Sequence, residues 1–194
     1  KAIIPVHYAG LPCAMEEIKK IASENNLIII EDACHALGAK YKETVIGDCS
    51  YSDMTVFSFH PVKHITTGEG GMVTTNSEAV YRKLLALRSH GITREEKEFT
   101  EPSHGGWYYQ MQHLGYNYRM TDIQAALGLS QLEKLDWFVQ RRREIAAIYN
   151  RELKELPLQL PEEKQGYYSS YHLYTIKIKK EAGISRRELY DKLR

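Results

Sequence analysis

Two short stretches put reactive side chains where an apolar run gives way to a turn. In Val56-Phe57-Ser58-Phe59-His60-Pro61-Val62-Lys63-His64, a strand-like segment delivers one amine, Lys63, to the Gly-rich turn Thr66-Thr67-Gly68-Glu69-Gly70-Gly71. In Leu27-Ile28-Ile29-Ile30-Glu31, a second such segment ends in Asp32-Ala33-Cys34-His35, so a carboxylate and an imidazole also stand at a strand end. A neutral amine can form an imine with a carbonyl. A free lysine near neutral pH is almost wholly protonated, so burial, a nearby cation or an imine already in place must activate it. Val56, Phe57, Phe59 and Val62 are the expected apolar walls of that setting.

Each of these residues also has an ordinary explanation when it stands alone. A lysine after a strand is usually a solvated surface residue, and Asp32 could simply cap a helix or sit in a loop. In a poorly solvated site, however, a carboxylate can keep a ring nitrogen protonated, the state in which pyridoxal phosphate acts as an electron sink. His35 then reads either as a structural histidine or as a neighbour of the cofactor ring and its phenolic oxygen. Ser58 reads as polar filler or as a hydroxyl donor to a phosphate. The turn after Lys63 offers further backbone donors, but no Gly-Lys-Ser/Thr closes it, which argues against a nucleoside triphosphatase.

His60 and His64 have the spacing of a helical metal pair, yet Pro61 lies between them and no glutamate fills the metalloprotease position, so no metal site is assigned. Arg141-Arg142-Arg143 lies among Glu133, Asp136 and Glu144 and is expected to be a solvated helix face rather than a nucleic-acid patch. Trp107-Tyr108-Tyr109 is open between loop packing and a binding wall.

The elements that must position these groups follow from periodicity. A strand over residues 2–6, a helix carrying Met15, Ile18, Ile21 and Ala22, and the strand Leu27 to Glu31 form a βαβ unit. Further strands are expected near Ala39 to Tyr41, at Thr55 to Phe59 and at Gly71 to Thr75. Ser77 is the expected N-cap of a helix bearing Val80, Leu84 and Leu87, closed by His90-Gly91. Residues 92–106 read as a mobile polar loop. Thr121 with Gln124 is a capping box opening one long helix to about Asn150, a connector between domains. The alternation in Tyr171 to Ile178 predicts a strand, and Ser185 opens another helix. The expected division is 1–150 for the C-terminal part of a large α/β domain and 151–194 for the start of a smaller one.

Composition narrows the class of function. The 194 residues are 43% hydrophobic, with 26 basic against 25 acidic residues, so no overall field would gather nucleic acid or an anionic membrane. The longest aliphatic run, Leu27 to Ile30, is far short of a membrane span, and no basic-then-apolar leader opens the chain, so a cytoplasmic location is expected. Three cysteines without CxxC spacing argue against a disulfide framework or structural zinc and read as small apolar fillers, with Cys34 near the chemistry. Because the sequence starts at Lys1 within an apolar segment and stops within a helical one, it is expected to be an internal fragment.

Taken in order, Glu31-Asp32-Ala33-Cys34-His35-Ala36, Phe57 to Lys63, Thr66 to Gly71 and Gly115-Tyr116-Asn117-Tyr118-Arg119-Met120-Thr121-Asp122 resemble the DegT/DnrJ/EryC1/StrS family of sugar aminotransferases over essentially the whole chain. The His-Pro-Val-Lys form and Leu114 to Leu132 are most similar to its pseudaminic-acid branch, which aminates C4 of a UDP-4-keto-6-deoxy-N-acetylhexosamine. The resemblance implies an α/β fold of the aspartate-aminotransferase type (fold type I) and pyridoxal 5'-phosphate as cofactor. It implies Lys63 as the Schiff-base lysine, Asp32 as partner of the pyridine nitrogen, His35 beside the ring and Ser58 on the phosphate. Asn117 would reach the phosphate of the neighbouring subunit, which implies a homodimer with shared sites. Glutamate is the implied amino donor and a nucleotide sugar the acceptor. A related dehydratase branch has histidine where Lys63 stands, so Lys63 favours transamination. Intact family members also carry an N-terminal Gly-Thr/Ser phosphate loop and a ring-stacking aromatic, which these residues do not include. The alternatives are another nucleotide keto sugar, aminated at C3 or C4, and a non-catalytic or regulatory protein of the same fold.

Overall fold

The computed structural model describes all 194 residues. Strands β1 (Ala2–Ile3), β2 (Ile28–Asp32), β5 (Met54–Ser58) and β6 (Gly71–Thr74) form one sheet in that order. The first three are parallel, and β6 returns antiparallel along β5. Helix α1 (Met15–Glu24) makes the crossover from β1 to β2, with Met15 and Ala22 fully buried against the sheet. Its first turn carries Glu16 and Glu17, whose charges suit the positive end of the helix dipole. Asn26 ends it in a left-handed conformation that an asparagine tolerates.

Strand alternation decides what faces the core. In β2, Ile29 and Glu31 are buried on one face while Asp32 turns to the other. In β5, Thr55 and Phe57 share the core face, and Met54, Val56 and Ser58 the opposite one. Register pairs Asp32 with Val56, so Asp32 and Ser58 lie on the same face at the carboxyl ends of two parallel strands. That is where ligands of open α/β sheets bind.

Burying the Glu31 carboxylate requires partners, and the fold supplies them. His7 Nε2 lies 2.7 Å from one oxygen, and the hydroxyls of Ser52 and Thr55 donate to the other. Cys13 N–H donates to His7 Nδ1, so the ring proton sits on Nε2 and points at the carboxylate. Burial would raise the pKa of Glu31, but these donors hold it below the usual carboxylate range.

Smaller elements surround the sheet. Strands β3 (Lys40–Tyr41) and β4 (Thr44–Val45) form a hairpin, and α2 (Glu78–Leu87) starts at the expected cap, Ser77. His90 and Gly91, both at positive φ, turn the chain after α2. Strand β7 (Ile92–Thr93) pairs with β8 (Gln110–Met111), so the polar stretch expected to be a loop is the connection of a two-stranded ribbon.

Helices α3 (Asp122–Leu132) and α4 (Leu135–Glu152) replace the single long helix expected from the sequence. The capping box at Thr121 is formed, but the chain breaks at Lys134 because the two halves serve different partners. Gln124 and Gln131 on α3 bind the Gly-rich turn at Glu69 O and Thr66 N. On α4, Leu135 and Val139 pack over Gly38, where a Cβ would come within 2.8 Å of Val139.

Strands β9 (Leu158–Gln159) and β11 (Lys177–Ile178) pair with each other, while β10 (Tyr167–Tyr168) joins β3, and α5 (Arg186–Leu193) starts at the Ser185 capping box. The strand expected over Tyr171 to Ile178 is therefore confined to its end. Tyr171 adopts φ 45°, and the backbone of Ser170 and Leu173 bonds to Gly10 and Ala9 instead of a ladder. The arginine run also departs from expectation. Only Arg141 pairs on the exposed face, with Glu144, whereas Arg142 and Arg143 hold the segment 163–172. No helix is long and apolar enough to cross a membrane.

Candidate active site

Asp32 ends β2 and opens the turn that carries Cys34 and His35. Its Oδ1 accepts the Cys34 N–H at 3.1 Å. Partial burial works against ionisation, yet hydrogen bonding from Cys34 and the positive charge of Lys63 keep the carboxyl below its ordinary range. Asp32 is therefore an anion at neutral pH. The Cys34 thiol is pushed the other way, up to about 11, by burial and by Asp32, so it remains protonated and unreactive.

Lys63 follows β5 in a tight turn in which its N–H donates to His60 O. Its ammonium charge acts on the titration of Asp32, Cys34, His35 and His172, which places all four within its electrostatic reach. Of the apolar walls expected around it, Val56 lies on the face of Asp32 and Ser58, and the other three do not enclose it. Phe57 and Phe59 point into the core on the other face of the sheet, and Val62 is 61% exposed. Lys63 is thus surrounded by polar groups on one side and left accessible on the other.

The turn around it is built for close approach. Thr66 Oγ1 donates to Phe59 O and accepts from Gly68 N–H, and Thr67 Oγ1 donates to Glu69 O. A Cβ on Gly128 would come within 2.8 Å of Thr67, so glycine lets α3 press against the turn. Ser58 Oγ accepts the His60 N–H at 3.3 Å, and its O–H remains available to a ligand.

His35 is fixed by an amide. Ala9 N–H donates to its Nδ1 at 3.3 Å, which leaves the proton on Nε2. Burial and the Lys63 charge lower its pKa, Asp32 opposing them. Two further histidines that the sequence reading did not assign to the site stand beside it. His172 packs on His35 at 4.4 Å between ring centroids, and His64 on His172 at 5.4 Å. Burial drives both down to about 4, so both are neutral at pH 7. His64 lies directly after Lys63, but His172 is distant in sequence, and only the folding of residues 167–174 onto the β3 side brings it here. His60 and His64 diverge: His60 stands on the surface near Glu69, while His64 is buried on Ser170 O.

Asn117 is on neither strand end. Its backbone bridges Ser89 at the end of α2, and its side chain is exposed. Close packing of Gly115 against Gly91 and Leu87 O fixes this segment, since a Cβ at Gly115 would lie 2.4 Å from Gly91 N. Asp32, His35, Ser58 and Lys63 thus gather where β2 and β5 end, and Asn117 lies in the segment bridged to Ser89.

A pyridoxal phosphate would find matching groups at that end. They are an amine, an ionised carboxylate, a neutral imidazole whose Nε2–H is free to donate, and a serine hydroxyl with a Gly-rich turn.

Known proteins resemble the chain over its whole length. The family model described as DegT/DnrJ/EryC1/StrS aminotransferase family matches residues 1–194. An uncharacterised protein of Methanocaldococcus jannaschii is 52% identical over 92% of this chain and 46% of its own length. The UDP-4-amino-4,6-dideoxy-N-acetyl-beta-L-altrosamine transaminase of Campylobacter jejuni serotype O:2 is 40% identical over 99% of this chain and 48% of its own. Among solved structures, Helicobacter pylori PseC, an aminotransferase involved in the biosynthesis of pseudoaminic acid, superimposes with a TM-score of 0.87 at 34% identity, covering 100% of this chain and 49% of that one. The chain spans about half the length of the curated relatives it matches. With its whole length matched and its fold shared with solved members, the chain belongs to the DegT/DnrJ/EryC1/StrS aminotransferase family.

Proposed function

We propose that the full-length protein is a pyridoxal phosphate-dependent aminotransferase that moves an amino group from glutamate to C4 of a UDP-4-keto-6-deoxy-N-acetylhexosamine. The observation that carries this reading is the convergence of the Lys63 amine, the ionised Asp32 and the neutral His35 at the carboxyl ends of β2 and β5. When bound, the cofactor supplies a carbonyl for imine chemistry and a ring that accepts electrons.

The chain's own residues supply the rest. Asp32 holds a proton on a ring nitrogen by its negative charge, which Cys34 and Lys63 keep in place. Lys63 would hold the cofactor through its amine and would supply the base for proton transfer. Its accessible side gives a substrate room to approach. His35 packs the ring with a fixed tautomer, and Ser58 with the turn after Lys63 offers donors to the phosphate. Residues 1–150 form the C-terminal part of the cofactor domain, and 151–194 the start of the smaller one.

Asn117 acts across a homodimer on the partner's phosphate. Exposed apolar side chains near it in sequence support an assembly: Leu114 is 78% exposed, Tyr118 74% and Ile123 84%. The sugar is the part carried by similarity to the C. jejuni and H. pylori proteins. Other relatives are named GDP-perosamine synthase, so the test is a panel. Full-length protein given the cofactor, glutamate and several nucleotide 4-keto sugars should release 2-oxoglutarate fastest with the UDP-N-acetyl substrate. A GDP-keto sugar turning over faster would reassign the substrate, and no glutamate-dependent turnover on any of them would overturn the reading.

A further inference from the structure

The segment Ser169-Ser170-Tyr171-His172 is held from every side. Ser170 N–H donates to Gly10 O at 3.0 Å, and Ser170 Oγ to His35 O at 3.2 Å. Arg143 binds Ser169 O at 2.8 Å while forking onto Glu163, and Arg142 binds the carbonyls of Tyr171 and His172 at 3.2 and 3.3 Å. His64 Nε2–H donates to Ser170 O at 3.1 Å. Tyr171 sits at φ 45°, a left-handed conformation unfavourable for a non-glycine residue, so the surrounding bonds must enforce it.

All this fixation delivers one ring. His172 lies 4.4 Å from His35 at an interplanar angle of 35°, and its Nδ1 is buried without a hydrogen-bond partner. The Nδ1 of His64 is in the same condition. Buried nitrogens left unpaired are costly and uncommon, so a ring kept there at that cost invites a role beyond filling space.

We propose that His172 is a positioning residue of the Lys63 site, its ring fixing the plane of His35 against the cofactor, so that the segment after α4 completes the site of the same chain. The cofactor half of this inference rests on the function proposed above.

The groups around His35 make packing the available means. Asp32 and Lys63 face it from the strand ends, Tyr8 from the turn after β1 at 6.0 Å, His172 from the C-terminal segment, and His64 and Arg142 stand behind His172. His35 Nδ1 already accepts from Ala9 N–H, which sets the tautomer but does not by itself prevent rotation of the ring about that bond. The His172 ring blocks one side of that rotation. Being neutral, it also leaves Asp32 as the one anion and Lys63 as the nearest cation.

The test uses full-length protein in two variants, His172→Ala and His172→Phe, with two readouts. Without cofactor, 15N-histidine NMR follows the titration of His35. In wild type it lies below the ordinary histidine value; His172→Ala, which admits water, should raise it towards that value, and His172→Phe should leave it low. With pyridoxal phosphate, His172→Ala should weaken binding about tenfold and reduce the visible circular dichroism of the bound cofactor, while His172→Phe should stay within about twofold, as a retained aromatic pair predicts. If His172→Ala does not fold, His172→Phe decides alone: normal melting with wild-type cofactor affinity and dichroism supports the proposal, and normal melting with lost affinity overturns it. Unchanged His35 titration and cofactor binding in a folded His172→Ala protein also overturns it. If wild type takes up no cofactor while His35 titration still responds to His172→Ala, the aminotransferase reading fails but the coupling of the two rings stands.

Discussion

The strand ends around Asp32 and Lys63 and the surface from Trp107 to Leu132 are built in opposite ways. At the strand ends, polar side chains are paired or sealed: Glu31 has three donors, Asp32 is bonded to Cys34, and His35 and His64 each have a backbone partner. On the surface, Leu114, Tyr118, Ile123 and Leu129 stand in water, and α3 buries none of its residues. The first region ties its charged groups into hydrogen-bonded networks within the chain. The second leaves large apolar side chains exposed. The difference separates what these residues satisfy among themselves from what they leave uncovered.

The largest effect should come from the centre of the first region. Lys63→Ala in full-length protein should lower turnover by at least about a thousandfold, because no other amine can take its place as nucleophile and base. Its melting temperature should hardly move, since the Lys63 side chain makes no hydrogen bond within the chain; steady-state assay and calorimetry check both. Asp32→Asn should cost two to three orders of magnitude in turnover. A charge pair at about 4 Å in a partly solvated site is worth about 4 kcal/mol, which the neutral amide cannot supply.

Breaking the sealed network behind the site should show in stability instead. Glu31→Ala leaves His7, Ser52 and Thr55 without their shared acceptor and should cost about 3 kcal/mol or more by urea denaturation, as loss of one partner of a buried pair does.

Acid should loosen the same region in a defined window. His64 is neutral in the fold and titrates at about 4, while the unfolded chain takes up that proton near 6.5. A lowered histidine pKa means that stability is full above 6.5 and falls as pH drops from 6.5 towards 4, by an amount on the order of 3 kcal/mol. Glu31 and Asp32, whose pKa values are depressed, extend the loss at lower pH. Denaturation at a series of pH values should show the slope in wild type and a flatter line between 6.5 and 4 for His64→Gln.

The smallest effect belongs to the second region. Ile123→Glu should weaken self-association by ten- to a hundredfold, the worth of one buried aliphatic side chain, and leave the folded protomer intact. Sedimentation velocity over a dilution series would detect it. Unchanged association would remove α3 from the proposed interface.

Much of the first region was legible in the sequence because its signals are local. Aliphatic runs ending in Asp32 and Lys63, the Ser77 and Thr121 caps and the His90-Gly91 turn depend on neighbours within a few residues, and all formed as read. What was missed depends on distant contacts. Lys134 breaks the helix because α3 and α4 answer to different partners, a conflict that helical periodicity does not record. Arg142 and Arg143 looked solvated because the carbonyls they bind lie in a later segment. Tyr171 to Ile178 alternates like a strand, yet the backbone of its first three residues is claimed by Ala9 and Arg142. His172 was hidden for the same reason, although an uncharged histidine in an otherwise apolar-aromatic run was a signal to notice. Glu31 beside Asp32 was legible in hindsight from alternation alone, which sends the two acids to opposite faces.

The most direct test of the central claim is chemical. Full-length protein incubated with pyridoxal phosphate, reduced with borohydride, digested and mapped by mass spectrometry should carry the reduced cofactor on the peptide containing Lys63, and glutamate added before reduction should diminish that label. Label on another lysine, or none at all in folded protein, would contradict the account.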